Sequence, residues 1–398
     1  MMKARTARVT KVKVGIVGCG LVSHSHIEAF RSHPDAEIIA VCDINEAQAK
    51  LLSKKYGIPQ YYTSYNEMLK STDINTISIV TPTYLHSEMA IAAAKAGKHI
   101  LCEKPFCMTL EGGAAACAEA EKRGISLMVG ESFLFISSVM KAKELIDSGE
   151  IGKPRQIRQR FGVYNLRGNA LVARCSGDMS WRTDPTRAGG GGYPWMFDHC
   201  VHFFAVAECM FNNSPVKEVY AVKVGAAHEN YDVPMIVWKH EDSECHGIWM
   251  GAKPESNDFY DPMGGFSMTV IGDKGMIEVL GEGGGGLKWK GKDVHLVLHR
   301  KGKETLTYRF DEGGDEVWDS EISYYNRAHR NQIYSFINSL LKGERPVYGG
   351  SDGLRAVKNT MAAICSAKEG VPVGVAGVTD ARVEKSAGVS QGKAEGIA

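Results

Sequence analysis

The sequence predicts an α/β chain of two domains: a parallel sheet covered by helices on both faces, then an open, mainly antiparallel sheet with its own helices. Three observations carry this. An apolar run, Val12 to Val17, enters the turn Gly18-Cys19-Gly20; an amphipathic segment follows, and a second apolar run, Ile38 to Cys42, ends on Asp43. Short β-branched runs then alternate with helical segments as far as about Gly130. Beyond that point eight strand-like runs succeed one another, several of them separated by Gly, Asp or Pro turns.

The opening unit reads as strand, tight turn, helix, strand and carboxylate, the first βαβ of a dinucleotide-binding sheet, so the N-terminal domain is expected to be a Rossmann domain. Gly18 permits the turn, and Gly20 lets backbone approach a pyrophosphate lying on the helix N-terminus, which Leu21 and Val22 begin. Asp43, 25 positions after Gly18, stands where a carboxylate reaches the adenine-ribose hydroxyls. Its charge would repel a 2′-phosphate, which favours NAD over NADP. Ser23 holds the place of the third fingerprint glycine.

Ile44–Tyr56 has helical composition and stops at Gly57-Ile58-Pro59; Tyr65–Lys70 is a short helix and Asn75–Val80 a buried strand. The turn Thr81-Pro82-Thr83-Tyr84-Leu85-His86 opens onto the helix Glu88–Ala96, and the strand His99–Cys102 ends in Glu103-Lys104-Pro105. A helix, Leu110–Lys122, and a strand, Ile125–Val129, complete the domain. Right-handed crossovers place the C-terminal ends of these strands along one edge, where ligands bind. Gly18–Ser23, Thr81–His86 and Glu103–Pro105 should therefore converge, and Thr81, Pro82, His86, Glu103 and Lys104 are read as lining the cofactor.

A helix, Ser138–Ser148, leads into the second domain. Its strands are placed at Arg155–Tyr164, Val216–Ala226, Met235–Lys239, Glu244–Met250, Phe266–Ile271, Met276–Leu280, Val294–Leu298 and Thr305–Phe310, closed by the helices Ser323–Leu341 and Gly353–Lys368. From about Val375 the chain is small and polar without aromatics, which reads as a flexible tail. The expected boundaries are 1–132, 133–374 and 375–398.

Composition narrows the function. Hydrophobic residues at 44% and charged ones at 23% suit a sizeable core. A net charge of +1 without a basic block makes nucleic acid and anionic membranes poor partners. Ten cysteines show no Cys-x-x-Cys spacing, which suits a reducing compartment. The basic start MMKARTARVTK is followed by no long apolar stretch, and nothing resembles a membrane span, so a soluble cytoplasmic protein is expected.

Chemistry-bearing residues gather in a second stretch, Ala188–Phe204, where four glycines run into Tyr193-Pro194-Trp195 and then Asp198 and His202. Spacing of i,i+4 puts carboxylate and imidazole on one helix face. Asp198 could be an N-cap and His202 a core histidine, or the pair could bind metal with His199 or Cys200. Acid–base work by His202, oriented by Asp198, is the preferred reading because histidine titrates near neutrality, and no second cluster supplies further metal ligands. The glycines would let backbone lie close to a ligand or cofactor. Lys104, at a strand end on the presumed cofactor edge, is the other candidate. Trp181 and Arg182 could line a sugar pocket, indole stacking on an apolar face and guanidinium donating to hydroxyls, or simply pack. His24 and His26 are read as structural or phosphate-proximal.

Gly18-x-Gly20, Asp43, Thr81-Pro82-x-x-x-His86, Glu103-Lys104-Pro105 and the glycine run leading to Asp198-x-x-x-His202 together resemble the Gfo/Idh/MocA family, over roughly Lys11 to Gly370. The resemblance implies a Rossmann domain binding NAD and a C-terminal domain whose open sheet carries the substrate site and often the oligomer interface, here a homodimer or homotetramer. It implies substrate contact for Lys104, Asp198 and His202, and a sugar, polyol or glycoside as substrate; Tyr193, Trp181 and Arg182 are read from the residues themselves as further candidates for substrate binding. Cys200 and Ala205 depart from the family's usual glycine and acid. The expected reaction is oxidation of a secondary hydroxyl or its reverse: His202 takes the hydroxyl proton, Lys104 stabilises the alkoxide, and Asp198 orients. Two rivals share the fold, a redox-neutral NAD-dependent glycoside-cleaving enzyme and a non-catalytic dinucleotide- or sugar-sensing regulator.

Overall fold

A computed structural model describes residues 8–162, 181, 184–224, 233–242, 244–252, 265–282, 294–310 and 323–387. The first sheet is built from β1 (Val12–Val17), β2 (Ala36–Cys42), β3 (Gln60–Tyr62), β4 (Thr76–Ile79), β5 (His99–Glu103) and β6 (Leu127–Gly130). Its order is β3-β2-β1-β4-β5-β6, and every pair is parallel. The helices between are α1 (Leu21–Arg31), α2 (Glu46–Tyr56), α3 (Tyr65–Leu69), α4 (His86–Lys95) and α5 (Leu110–Lys122). Period-two alternation sends Val12, Val14 and Ile16 to one core and Ile77, Ile79 and Ile100 to another, so both faces are buried. β3 escapes a sequence reading because it is a three-residue edge strand of half-exposed Gln and Tyr.

After α6 (Ser137–Asp147) come β7 (Pro154–Gly162), the one-turn α7 (Pro185–Ala188), and α8 (Pro194–Met210). Seven strands then follow: β8 (Val216–Val224), β9 (Val233–His240), β10 (His246–Ala252), β11 (Gly265–Gly272), β12 (Gly275–Glu282), β13 (Val294–Arg300) and β14 (Leu306–Phe310). The described residues end with α9 (Ser323–Lys342), α10 (Gly350–Glu369), β15 (Val373–Gly374) and α11 (Asp380–Ala387). The second sheet runs β14-β13-β12-β11-β7-β10-β9-β8-β15 and is antiparallel except where β7 and β10 pair in parallel. α8 and α10 pack against it: Phe203 stacks on Trp249 with ring centroids 4.4 Å apart, and Phe204 meets Trp238 edge-on at 5.2 Å. The buried Glu208 of α8 accepts from Arg355 Nε at 2.7 Å and from Asn359 Nδ2 at 2.9 Å, which ties α8 to α10.

Two expectations are corrected. α9 does not close the second domain. Its Ile333, Phe336, Ile337 and Leu340 are buried in the Rossmann core with Val12, Ile16, Ile27 and Phe30. The sequence shows an amphipathic helix but not which apolar surface receives it. Nor is the chain beyond Val375 a flexible tail as far as residue 387. Val375, Val378 and Val383 are buried, and Asp380 accepts the backbone N–H groups of Leu110 (2.7 Å) and Glu111 (3.0 Å) at the start of α5. A carboxylate on a helix N-terminus satisfies otherwise orphaned donors, which offsets the low hydrophobicity of the segment.

The outer face of β8, β9 and β10 presents Tyr220, Val222, Met235, Val237 and Met250, each 36–42% exposed. Val219, Ala221, Ile236, Trp238 and Trp249 alternate with them and are buried beneath.

Two core histidines give the fold an acid limit. His99 Nδ1 accepts the N–H of Ser126 at 3.1 Å, and His240 Nε2 accepts the indole N–H of Trp238 at 3.0 Å. Neither acceptor survives protonation. Burial pushes both rings down from 6.5 to about 4. The unfolded chain therefore takes up these protons at a higher pH than the native one, so the stability is fully present above 6.5 and lost as pH falls toward 4. Each ring contributes on the order of 3 kcal/mol. Urea unfolding across that interval should show the fall, and His240→Gln should shallow it; a flat profile would contradict the assignment.

Candidate active site

The glycine turn is shaped by close backbone approach. Gly18 has φ +95, and a Cβ there would lie 2.6 Å from the carbonyl oxygen of Val80 at the end of β4. A Cβ on Gly20 would meet nothing within 4 Å, so the N-terminus of α1 is open to a ligand. Asp43 is fixed at the end of β2, Oδ2 accepting from Cys19 N–H and Oδ1 from Asn45 N–H, both at 2.8 Å. Ser23 is wholly buried and its hydroxyl donates to Gly20 O at 2.6 Å, so serine fits where the fingerprint has its last glycine. An open helix N-terminus, a close-packed turn and an anchored carboxylate suit a dinucleotide.

The three predicted loops do converge, and His86 staples two of them. Its Nε2 lies 2.8 Å from Thr81 O and its Nδ1 2.7 Å from Pro105 O. Burial holds the ring toward its neutral form, which carries one N–H and so donates to one carbonyl at a time. His86 is thus a buried tie between Thr81 and the Glu103-Lys104-Pro105 turn. Glu103 is buried likewise. Its Oε1 meets His26 Nε2 at 3.0 Å, while His26 Nδ1 meets Ser78 Oγ at 2.8 Å. His26, the nearby His329 and Lys104 hold the carboxyl down at about 2 against the opposing effect of its own burial. His26, Glu103 and His329 form the one group among the described residues whose ligating atoms lie close enough, within 4.8 Å, to hold a metal. Both nitrogens of His26 are already committed to Ser78 and Glu103, which favours a buried hydrogen-bonded cluster. His24 meets Tyr56 Oη at 2.6 Å.

Lys104, joined to Pro105 by a cis peptide, has a buried side chain, and its ammonium donates to Asp198 Oδ1 at 3.0 Å and to Asp198 O at 3.1 Å. This bond crosses from the Rossmann sheet edge to α8. Pro194 begins α8 and Tyr193 caps it, its N–H donating to Gly190 O at 3.0 Å. Gly189 and Gly190 have φ +88 and +77, and a Cβ on either would strike the side chain of Phe197 at 2.7 and 2.5 Å. What these glycines approach is Phe197, so their proximity serves helix packing rather than a ligand. In front of them α7 reaches the Rossmann edge, with the Arg187 guanidinium 5.6 Å from the Tyr84 ring centroid.

His202 is 3% exposed. Its Nδ1 hydrogen-bonds Glu131 Oε1, and its ring stacks on Phe133 at 4.0 Å with an interplanar angle of 11°. The orienting role expected of Asp198 is therefore corrected: Asp198 faces Lys104 and, at 3.4 Å, His199, whereas Glu131 holds the imidazole. One helix turn of separation places Asp198 and His202 at neighbouring positions of α8, but their side chains diverge to partners on two different Rossmann loops. His199 also stacks on Trp195 at 4.5 Å, and Trp195 on Trp249 at 5.6 Å. Cys200 and Ala205 lie buried on the packed side of α8. Trp181 is half-buried, its carbonyl accepting from Asp184 N–H at 3.3 Å, and Arg182 lies outside the described residues.

Glu131 and Phe133 are absent from the residues singled out by sequence. Gly130 ends β6 on the same sheet edge as the other site loops. The rule that places those loops would have singled out Glu131 as well.

Comparison with known proteins agrees with this architecture. A model described as "Oxidoreductase family, NAD-binding Rossmann fold" matches residues 12–131, and the GFO/IDH/MocA C-terminal domain matches residues 139–278. The myo-inositol 2-dehydrogenase of Thermotoga maritima is 25% identical over 358 residues, covering 87% of this chain and 93% of its own. The D-apiose dehydrogenase of Paraburkholderia graminis is 25% identical over 378 residues, covering 93% and 91%. An Agrobacterium radiobacter oxidoreductase solved with NAD+, L-tartaric acid and magnesium superposes with a TM-score of 0.77 at 19% identity, over 92% of this chain and 99% of its own. The chain belongs to the GFO/IDH/MocA family. It is an NAD-dependent oxidoreductase of the sugar and polyol dehydrogenase class, acting on CH–OH groups. No helix among the described residues is long and apolar enough to cross a membrane.

Proposed function

We propose that the chain oxidises a secondary hydroxyl of a sugar, polyol or glycoside, or reduces the matching ketone, at the constellation Lys104, Asp198 and His202. The observation that carries this is the Lys104–Asp198 ion pair between the Rossmann edge and α8, one helix turn from the buried His202. Bound NAD+ supplies the acceptor for the electron pair of the carbinol C–H bond. The open N-terminus of α1 and Asp43 would hold its pyrophosphate and adenine ribose. Lys104, a donor without acceptor capacity, stabilises the alkoxide as its charge develops. His202 takes the hydroxyl proton on Nε2, because Nδ1 is engaged by Glu131. Asp198 holds the Lys104 ammonium and accepts from a neighbouring substrate hydroxyl. The inositol and apiose dehydrogenases among the relatives support a polyhydroxylated substrate.

The test is a screen of NAD+ reduction over inositols, free pentoses and hexoses and glycosides, read by NADH absorbance with product analysis. At least one compound should give stoichiometric NADH and ketone. Consumption of a glycoside without NADH would overturn net oxidation in favour of redox-neutral cleavage.

The same reading extends to a homodimer or homotetramer formed through the apolar outer face of β8, β9 and β10, a patch of the kind that monomers rarely leave in water. Light scattering should show an oligomer that Val237→Lys dissociates. A wild-type monomer at all concentrations would refute it.

A further inference from the structure

We infer that Glu131 is the positioning carboxylate of the acid–base histidine, a role that rests on His202 being the proton acceptor. Glu131 follows the last Rossmann strand, whereas His202 belongs to α8 of the second domain. Both side chains are sealed from water, at 1% and 4% exposure. Glu131 Oε1 takes the Nδ1 hydrogen of His202 and also accepts the backbone N–H of Phe133 at 3.3 Å. Phe133 in turn lies flat against the imidazole at 4.0 Å. Carboxylate and ring stacking thus fix the histidine in position, orientation and tautomer. The proton sits on Nδ1, and Nε2 keeps the lone pair that accepts from substrate.

The charge argument follows from burial. When the substrate O–H bond breaks and its proton moves to Nε2, the neutral ring becomes an imidazolium on a side chain that is only 4% exposed. Such a cation is costly to form without an adjacent anion. Glu131 is that anion, hydrogen-bonded to the ring before the proton arrives. Asp198 cannot substitute, since its carboxylate is placed on Lys104 and His199. The dyad also makes the base conditional on domain docking, because base and orienting carboxylate come from different domains. Lys104–Asp198 repeats that arrangement across the same junction.

The test uses the full-length protein saturated with NAD+, comparing wild type, Glu131→Gln, Glu131→Asp and His202→Gln. Histidine-selective 15N NMR, with the His202 signals assigned by their loss in His202→Gln, reads tautomer and titration without a substrate. Wild type should show the proton on Nδ1. Glu131→Gln should move the protonation midpoint of His202 to lower pH, and Glu131→Asp should restore it in part. With the substrate that the NAD+ reduction screen identifies, Glu131→Gln should lower kcat by roughly 10- to 100-fold with little change in KM, less than full loss of general-base catalysis costs. The rising limb of its pH profile should move to lower pH. NAD+ affinity and melting temperature close to wild type establish that the Gln variant is folded. An unchanged tautomer and midpoint in folded Glu131→Gln overturns the positioning role alone. Normal turnover by His202→Gln overturns the histidine reading on which it rests.

Discussion

Lys104→Ala should lower kcat on the order of 10²- to 10³-fold, the usual consequence of removing one preorganised donor from a developing oxyanion. On the proposed role the loss should fall mainly on kcat, because the lysine would act on charge that develops only in the transition state. Lys104→Arg should not restore it. A planar guanidinium cannot occupy the site of a compact ammonium that donates to both Oδ1 and O of Asp198. Steady-state kinetics at saturating NAD+ with the substrate found by screening decides the matter. Near-normal turnover by the alanine variant would remove Lys104 from the mechanism, whereas a raised KM with unchanged kcat would demote it to substrate binding.

Gly18→Ala should be the most damaging single methyl in the cofactor domain. The position combines φ +95 with only 2.6 Å between an added Cβ and Val80 O, and the obstacle is backbone that cannot rotate away. Strain and overpacking together should cost roughly 2–3 kcal/mol of stability. The turn must open to relieve them, which displaces the N-terminus of α1 and the Cys19 N–H that anchors Asp43. NADH affinity, read by fluorescence titration, should fall by more than about tenfold, the equivalent of roughly 1.4 kcal/mol. Gly20→Ala makes the control, since its Cβ would meet no protein atom within 4 Å and so tests occlusion of the ligand space alone. Unaltered stability in Gly18→Ala would contradict the close approach.

The elements most legible in the sequence are those that satisfy their own local physics. β1, α5 and the loops at the strand ends follow from apolar runs, caps and the crossover rule. Candidate residues carried by one such loop are legible too, which is why Gly18, Asp43 and Lys104 stand out before any coordinates. The misreadings share a cause. Helical spacing pairs Asp198 with His202 because it reports proximity on one element, while the actual partners, Lys104 and Glu131, lie 94 and 71 residues away. His86 and Glu103 do belong to the cofactor edge, but their side chains turn inward and are consumed in holding that edge together. Apolar periodicity shows that α9 has a face to bury. It contains no information on which of two cores takes it.

That last placement limits how the enzyme can be cut and recombined. A fragment ending after β6 would carry all six strands of the parallel sheet yet lack Ile333, Phe336 and Leu340, leaving an apolar trough along α1 open to water. Exchanging substrate domains between homologues by a single crossover near residue 132 would import a foreign helix into that trough. A chimera intended to change specificity therefore needs two junctions, one on each side of the segment that returns, so that Ser323–Lys342 travels with the nucleotide-binding half.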